Sequence, residues 1–244
     1  QVSLEAVGAI GNVGASLLKC EGEIAEFLGQ RPRGIGRGTG ILLEAEALQF
    51  PGEFAFAVPD AAAHVALSAN RNPHLAWSGA PAGTQSFAIV CHDPDVPSRG
   101  DDVNQTDREV PADLPRVDFF HWVLVDLPPL PTVIAEGEFS RGFTARGKPG
   151  PATLHGARHG LNDYTGWFAG DAQMGGDYSG YDGPYPPFND LRMHRYFFRL
   201  FALDVATLDL PTPFTAADVH KAMHGHVLAE AALHGTYTLN PALA

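Results

Sequence analysis

The chain has 244 residues and a formal net charge of −12, with 16 Lys and Arg against 28 Asp and Glu. This charge argues against nucleic acid as a partner, which requires a surplus of Lys and Arg, and against adsorption to anionic lipid surfaces. Hydrophobic residues make up 45% of the chain and charged residues 18%, which indicates a compact globular protein rather than a disordered one.

There are only two cysteines, Cys20 and Cys91, and Cys91 lies within an apolar run, so a disulfide framework is not implied. The longest apolar stretch falls far short of the roughly 20 residues that a membrane-spanning helix needs. The first residues also lack the order of a signal peptide, a basic segment followed by an apolar one. We therefore expect no transmembrane segment and a cytoplasmic location, with removal of an N-terminal targeting segment as the open alternative.

The first part of the chain predicts a helical appendage. Apolar residues recur at intervals of three and four over residues 4–28, which favours an amphipathic helix interrupted by glycines. Residues 31–40 are rich in Gly and Arg and are typical of a linker. We therefore expect an N-terminal helical extension and linker over residues 1–38 and one main domain over residues 39–244.

The main domain shows the pattern of a mainly β protein. Short apolar or alternating runs at residues 41–45, 86–92, 121–127 and 195–203 are separated by segments rich in Pro and Gly, which favours a two-sheet β sandwich. The polar stretch 99–117 predicts a long loop between two strands.

The end of the chain predicts a helix. Thr215 and Asp218 form a capping box ahead of apolar residues with helical spacing, so a helix of about four turns is expected before Gly235, and residues 236–239 are a candidate last strand.

Three segments carry the candidate chemistry. Residues 93–97 (DPDVP) place two carboxylates where an apolar strand is predicted to end, and His121 opens the next predicted strand. The third segment runs from Tyr181 to Pro187 and is followed by His194, Arg195 and Tyr196. Taken singly, the aspartates are ordinary turn residues and the histidines ordinary core residues. Their combination favours one shared pocket.

In these segments the sequence resembles the phosphatidylethanolamine-binding protein family, also called the Raf kinase inhibitor protein family, and especially its bacterial branch. The resemblance covers roughly residues 39–240. This chain departs from the family at residues 188–190, where Phe-Asn-Asp replaces the usual Lys and Gly, and at Phe119, where many members have Trp. The loop 99–117 and the N-terminal region lie outside the common core, and each is a candidate for covering the pocket or for forming a homodimer contact.

The resemblance implies a two-sheet β fold whose pocket binds phosphate, phosphorylethanolamine or a similar small anion. The residues expected at the ligand are Asp93, Phe119, His121, Tyr181, Gly183, Tyr185, Pro186, His194 and Tyr196. Imidazoles and backbone amides of residues 183–185 would donate hydrogen bonds to phosphate oxygens. A carboxylate beside a phosphate requires at least one protonated histidine, so we expect binding to strengthen on mild acidification.

The favoured function is therefore a binding module for a small anion, and the resemblance implies regulation of a protein partner such as a kinase. The alternative is a hydrolase or transferase that uses Asp93 and a histidine on a phosphoester, although the sequence shows no nucleophile motif. His220 and His224 lie four residues apart on the predicted helix, but the other elements of a zinc motif are missing. We expect no cofactor and no metal, and we expect Arg195 to pair with a scaffold carboxylate.

Overall fold

The computed structural model describes residues 41–45 and 50–244. Within these residues it contains ten strands and two α-helices, α1 (Tyr164–Trp167) and α2 (Ala216–Met223). Short 3-10 helices occur at Gly52–Phe54 and Leu154–Gly156. The strands are β1 (Leu42–Glu44), β2 (Ala57–Asp60), β3 (His64–Leu67), β4 (Leu75–Ser78), β5 (Ser86–Pro97), β6 (Arg116–Leu127), β7 (Val133–Ile134), β8 (Arg158–His159), β9 (His194–Leu203) and β10 (Val227–Tyr237). The predicted N-terminal helix and linker lie outside the described residues.

The strands confirm the mainly β class, and every pairing between the named strands is antiparallel. They form a five-stranded sheet in the order β10-β9-β5-β6-β8, a three-stranded sheet β1-β4-β7 and a hairpin β2-β3. The expectation of two sheets is therefore incomplete. The separate hairpin closes at Asp60, whose Oδ1 accepts the amides of Ala62 and Ala63, a turn that aspartate favours.

Strand β5 lies at the centre of the large sheet and is buried on both faces, which explains its nearly continuous apolar sequence. Phe87, Ile89 and Cys91 point into the main core together with Trp122. The alternate residues Ala88 and Val90 pack on the other face, in the cluster that contains helix α2. Because successive side chains point to opposite faces of the strand, β5 contributes to both hydrophobic clusters.

The prediction of a four-turn C-terminal helix is wrong in length. The capping box of Thr215 and Asp218 begins α2 as expected, but the helix ends at Met223. Gly225 then adopts a φ of 85°, a conformation that breaks the helix and that glycine accepts without strain. The residues from Val227 onward pair with β9 instead. No helix in the described part of the chain is long and apolar enough to cross a bilayer.

The strand was expected to end just before residues 93–97, but β5 continues as far as Pro97. Asp93 pairs with Phe119 of β6, and the register shifts between Asp93 and Val96. Such an irregularity bends a strand and redirects its side chains. The irregularity adjoins Asp93, whose side chain is buried next to β9.

Candidate functional site

A cavity of about 80 Å³ lies where β5, β6 and β9 approach the loop 98–115 and the segment 185–187. Three neighbouring strands of one sheet supply its centre, so the three sequence segments do meet in space. The residues that line it are Asp93, Val96, Pro97, Ser98, Arg99, Gly100, Val103, Asn104, Phe119, His121, Tyr164, Trp167, Tyr185, Pro186, Pro187, His194 and Tyr196.

The His194 side chain is fully buried between two carboxylates. Its Nδ1 lies 2.6 Å from Oδ2 of Asp93, and its Nε2 lies 3.0 Å from Oδ2 of Asp190. Asp190 in turn accepts hydrogen bonds from both terminal nitrogens of Arg116, at 2.5 and 3.0 Å. Both ring nitrogens of His194 are therefore already committed to carboxylates.

This arrangement keeps His194 protonated. Burial opposes the charge on the ring, but the negative charge of Asp93 and the hydrogen bonds to both carboxylates outweigh it and raise the pKa of His194 to about 9. Burial likewise opposes the charge on Asp190, and the hydrogen bonds from His194 and Arg116 nevertheless lower the pKa of that carboxyl. Near neutral pH the ring is an imidazolium.

His121 has the opposite character. Its Nδ1 donates to the carbonyl of Asp182 at 2.8 Å, so in the neutral ring Nε2 is a hydrogen-bond acceptor. Burial lowers the pKa of His121 despite the nearby negative charge of Asp93. No other described residue makes a hydrogen bond to Nε2, and the residue lines the cavity. His121 therefore presents a neutral acceptor.

Aromatic side chains form the walls around His121. Its ring centroid lies 4.9 Å from Phe119, 5.6 Å from Tyr164 and 5.2 Å from Tyr196. The Tyr164 hydroxyl donates to the carbonyl of Gly183 at 2.8 Å. The Tyr196 hydroxyl is buried and makes no hydrogen bond of good geometry within the described residues. Burial, and then the charge of Asp93, raise the pKa of Tyr196 well above its usual range, so the hydroxyl keeps its proton.

The loop between β5 and β6 forms the mouth of the cavity and is held by Asn189. The Asn189 amide nitrogen lies 2.8, 3.1 and 2.9 Å from the carbonyls of Asp102, Gln105 and Arg108. Its Oδ1 accepts the backbone amide of Asn104 at 2.9 Å. The segment in which this chain departs from the family pattern thus organises the loop that the sequence placed outside the common core.

Two of the predicted ligand residues lie behind the cavity wall. Tyr181 is packed in the main core, where its hydroxyl donates to the carbonyl of Phe54 at 2.7 Å. The amide of Gly183 donates to Oδ1 of Asn70 at 2.8 Å, and Pro184 has no N–H to offer. Of the three residues expected to supply amide donors, Gly183 is thus already committed and Pro184 has no donor, while Tyr185 lines the cavity.

Asp95 belongs to the scaffold rather than to the cavity. Its two oxygens accept hydrogen bonds from the guanidinium of Arg195 at 2.8 and 2.9 Å, and Arg192 lies 3.4 Å away. The prediction that Arg195 pairs with a scaffold carboxylate is confirmed. Among the residues that the structure describes, no group of three or more His, Cys, Asp or Glu is arranged to hold a metal ion.

Sequence reasoning missed four residues of the site. Asp190 and Arg116 form the ion pairs behind His194, and Tyr164 and Trp167 of α1 form part of the wall. The segment that contains Asp190 was visible as a departure from the family pattern. Nothing in the sequence around α1 marked the two aromatic residues.

Comparisons with known proteins show a matching family model and several similar sequences. A family model described as phosphatidylethanolamine-binding protein matches residues 46–238. A UPF0098 protein of Methanothermobacter thermautotrophicus is 35% identical over 168 residues, which are 69% of this chain and 83% of that protein. The UPF0098 protein YbhB of Escherichia coli is 31% identical over 171 residues, covering 69% of this chain and 82% of that one.

Solved structures show the same fold. A structure described as a putative phosphatidylethanolamine-binding protein homologue, CT736 of Chlamydia trachomatis, aligns with a TM-score of 0.52 at 25% identity, over 82% of this chain and 98% of that one. YbcL of Escherichia coli, described as a new member of the mammalian family, aligns with a TM-score of 0.56 at 23% identity, over 81% and 98% of the two chains.

Proposed function

The chain belongs to the phosphatidylethanolamine-binding protein family, and from that premise we propose that it is a binding module whose cavity holds a small anion. The ligand is phosphate or a phosphorylated head group. Its oxygens and any proton they carry contact His121 and Tyr196, while His194 acts through its charge. The observation that carries the proposal is that Nδ1 of the buried His194 lies 2.6 Å from Oδ2 of Asp93 in the same cavity.

The positive charge on His194 allows an anion to bind next to the carboxylate of Asp93. If the carboxylate of Asp93 were unpaired, it would repel a phosphate in this buried site. Because Asp93 is paired with the imidazolium at 2.6 Å, its charge is compensated before the ligand arrives. The hydroxyl of Tyr196, which lies beside Asp93 but makes no hydrogen bond of good geometry among the described residues, then supplies a donor to the ligand.

The test is calorimetric titration with inorganic phosphate and with phosphorylethanolamine, comparing the wild type with Tyr196→Phe. That variant removes only the hydroxyl of Tyr196. Tyr181→Phe is the matched control, because it removes a buried tyrosine hydroxyl that lies outside the cavity. We expect saturable binding, weakened about tenfold or more in Tyr196→Phe, since a hydrogen bond to a charged group contributes about 1.5–3 kcal/mol. Tyr181→Phe should bind as the wild type does.

Two results would overturn the proposal. One is the absence of saturable binding to either ligand by the wild type. The other is turnover of phosphoesters that disappears in Tyr196→Phe but not in Tyr181→Phe, which would replace the binding module with a hydrolase.

A further inference from the structure

A second cavity, of about 740 Å³, lies between the segments 146–151 and 176–179. His159, Leu161 and residues 212–213 complete its lining. Among the residues that the structure describes, it shares none with the cavity of the proposed anion site. Its volume falls within the range of ligand sites in proteins, about 300–1,000 Å³. The second cavity is therefore a separate candidate site.

Glycine allows the two segments that form its walls to approach each other closely. The amide of Lys148 donates to the carbonyl of Asp177 at 2.9 Å, and the amide of Ser179 donates to the carbonyl of Lys148 at 3.1 Å. A Cβ at Gly176 would lie 2.1 Å from the carbonyl oxygen of Arg146, so a larger residue there would separate the segments. This backbone pairing fixes the position of Ser179 in the wall.

His159 contributes a buried hydrogen-bond donor to the second cavity. The residue is 6% exposed, and its Nε2 lies 3.3 Å from Nε1 of Trp122. Because an indole nitrogen can only donate, Nε2 is the acceptor, and the proton of the neutral ring is on Nδ1. Burial, and then the charge of Lys148, lower the pKa of His159 to about 3, so the ring is neutral near pH 7. No described residue accepts a hydrogen bond from Nδ1.

Ser179 contributes a second donor. It is 7% exposed, and its hydroxyl makes no hydrogen bond to another described residue. His159 cannot activate this hydroxyl as a base, because its Nε2 accepts from Trp122 and its Nδ1 carries the proton. A Cβ at Gly150 would lie 2.4 Å from Oγ of Ser179, and one at Gly180 would lie 2.8 Å from Nδ1 of His159. A side chain at either glycine would thus block one of the two donors.

The charged residues of the second cavity do not favour an ion in its depth. Three of them line it, Arg146, Lys148 and Asp177. The Nζ of Lys148 lies 2.9 Å from Oδ1 of the buried Asp182, so its charge is already compensated. Arg146 and Asp177 are exposed and opposite in sign. An ion beside His159 would therefore lose its hydration without gaining a free opposite charge.

We propose that the second cavity binds an uncharged, extended peptide segment, whose carbonyl oxygens accept hydrogen bonds from Nδ1 of His159 and Oγ of Ser179. A buried donor without a partner is costly, and a carbonyl oxygen removes this cost without bringing a charge. Pro149, Pro151 and Pro213 add apolar wall surface and no backbone N–H. A volume of about 740 Å³ exceeds the needs of a single amide group and suits several residues of a peptide. The inference does not depend on the anion in the first cavity.

The first experiment is an NMR titration of the wild type with two matched peptides. One is N-acetyl-glycyl-glycine amide, which is uncharged, and the other is N-acetyl-glycyl-glycine, which ends in a carboxylate. With the amide, we expect saturable shifts of the backbone signals of Gly147, Gly150 and Gly176. The carboxylate should bind at least about tenfold more weakly, because its charge finds no free partner in the cavity. Equal binding of the two peptides, no saturable shift, or shifts confined to His121 and His194 would overturn the inference.

The second experiment locates the proton on His159. Long-range ¹H–¹⁵N NMR spectra of the histidine rings should show it on Nδ1 from about pH 5 to 8, far above the pKa that burial gives this ring. Its signal should move downfield when the peptide amide binds, since a new acceptor deshields the proton. A proton on Nε2 in the free protein, or an Nδ1–H signal that ignores the peptide, would exclude His159 as the donor.

The third experiment removes the other donor. Ser179→Ala should weaken binding of the peptide amide about fivefold, as expected for one neutral hydrogen bond. Ser86→Ala is the matched control, because Ser86 is also buried and its hydroxyl donates to the carbonyl of Val205, outside both cavities. Unchanged affinity in Ser179→Ala, or an equal loss in Ser86→Ala, would contradict the proposal.

Gly150→Ala tests the shape of the site, since the added methyl group would occupy the space beside Oγ of Ser179. We expect it to abolish binding of the peptide amide, whereas Gly166→Ala, where a Cβ would meet nothing within 4 Å, should bind as the wild type does. Wild-type affinity in Gly150→Ala would overturn the assignment of the cavity. If Gly150→Ala does not fold, Ser179→Ala and the two wild-type experiments decide the inference.

Discussion

The Nδ1 of His194 lies 2.6 Å from Oδ2 of Asp93, although the two residues are separated by 101 positions in the sequence. Strands β5 and β9 are neighbours in the sheet and bring the pair together, and their side chains are almost completely buried. Burial removes the water that would otherwise screen the pair, so the two charges depend on each other. The protonation state of His194 is therefore linked to the stability of the fold.

The first prediction is a loss of stability at alkaline pH. The pKa of His194 is about 9 in the folded protein and 6.5 in its reference state. Its stabilising contribution is thus fully present below pH 6.5 and disappears as pH rises through 9. We expect the free energy of unfolding to fall by about 3 kcal/mol across this window, at 1.36 kcal/mol for each unit of pKa shift. Urea denaturation at several pH values measures it.

Asp93→Asn is the variant that tests the origin of this slope. An amide at position 93 does not stabilise the charged imidazole. The fall in the free energy of unfolding between pH 6.5 and 9 should therefore be smaller in the variant, even though the variant is less stable overall. A wild-type stability that stays constant from pH 6.5 to 9 would contradict the prediction.

The second prediction concerns acid. Burial lowers the pKa of His92 and His220 from 6.5 to about 4 and that of His159 to about 3. The unfolded chain therefore binds more protons than the folded one below pH 6.5, so stability is lost as pH falls towards 4. Asp163, whose pKa burial raises to about 7, acts in the opposite direction but is outnumbered. Stability should accordingly peak near pH 6.5, as urea denaturation would show.

His92 allows a matched test of the acid slope. It is buried and stacks on Phe197 at 5.5 Å, and its Nδ1 has no hydrogen-bond partner among the described residues. His234 stacks on the same ring at 4.8 Å but is exposed. We expect His92→Phe to reduce the loss of stability between pH 6.5 and 4, and His234→Phe to leave it unchanged. Equal slopes in the two variants would exclude His92 as a source.

These results show which parts of the site the sequence could predict. Apolar runs in the sequence predicted β5, β6 and β9. Each of these runs begins or ends next to one polar residue, so the grouping of Asp93, His121 and His194 could be predicted. Distinguishing Tyr196, at the cavity, from Tyr181, in the core, required coordinates, because both are buried tyrosines in aromatic surroundings.

The ion pairs behind the cavity were beyond the reach of pattern reasoning. Arg116 and Asp190 are 74 residues apart, and neither stands in an apolar run that would fix its neighbour. Their pairing depends on how the loop 98–115 folds around Asn189, which is a matter of many backbone hydrogen bonds rather than of periodicity. The length of the C-terminal helix was mispredicted for a related reason. Beyond Gly225 the chain pairs with β9, and this pairing outweighs the helical spacing of the apolar residues.

The third prediction is that Asn189→Ala loosens the loop at the mouth of the cavity. The substitution removes the amide that bridges three loop carbonyls, and each carbonyl lost from a hydrogen bond favours local opening. Trypsin should then cleave faster after Arg99 and Arg108, as mass analysis of the fragments would show. Asn72→Ala, which removes a comparable set of hydrogen bonds elsewhere, should not raise cleavage at these two positions selectively. Selective cleavage in both variants, or in neither, would contradict the prediction.

The fourth prediction concerns the backbone at Gly183, which supports the cavity from behind. A Cβ at this position would lie 1.9 Å from the carbonyl oxygen of Phe54, so the main chain would have to move. We expect Gly183→Ala to lower the free energy of unfolding by about 3 kcal/mol, at the upper end of the usual cost of overpacking. The carbonyl of Gly183 holds the hydroxyl of Tyr164, so phosphate affinity should fall as well.

Gly166 is the matched control for that substitution. It lies within α1, and a Cβ there would meet nothing within 4 Å. Gly166→Ala should therefore be neutral or stabilising by up to about 1 kcal/mol, because alanine loses less conformational entropy on folding. Urea midpoints of the two variants measure the contrast. Equal stability of Gly183→Ala and Gly166→Ala would contradict the prediction, because it would mean that the backbone behind the cavity shifts at little cost. The wall formed by Tyr164 would then not be rigid enough to shape a binding site.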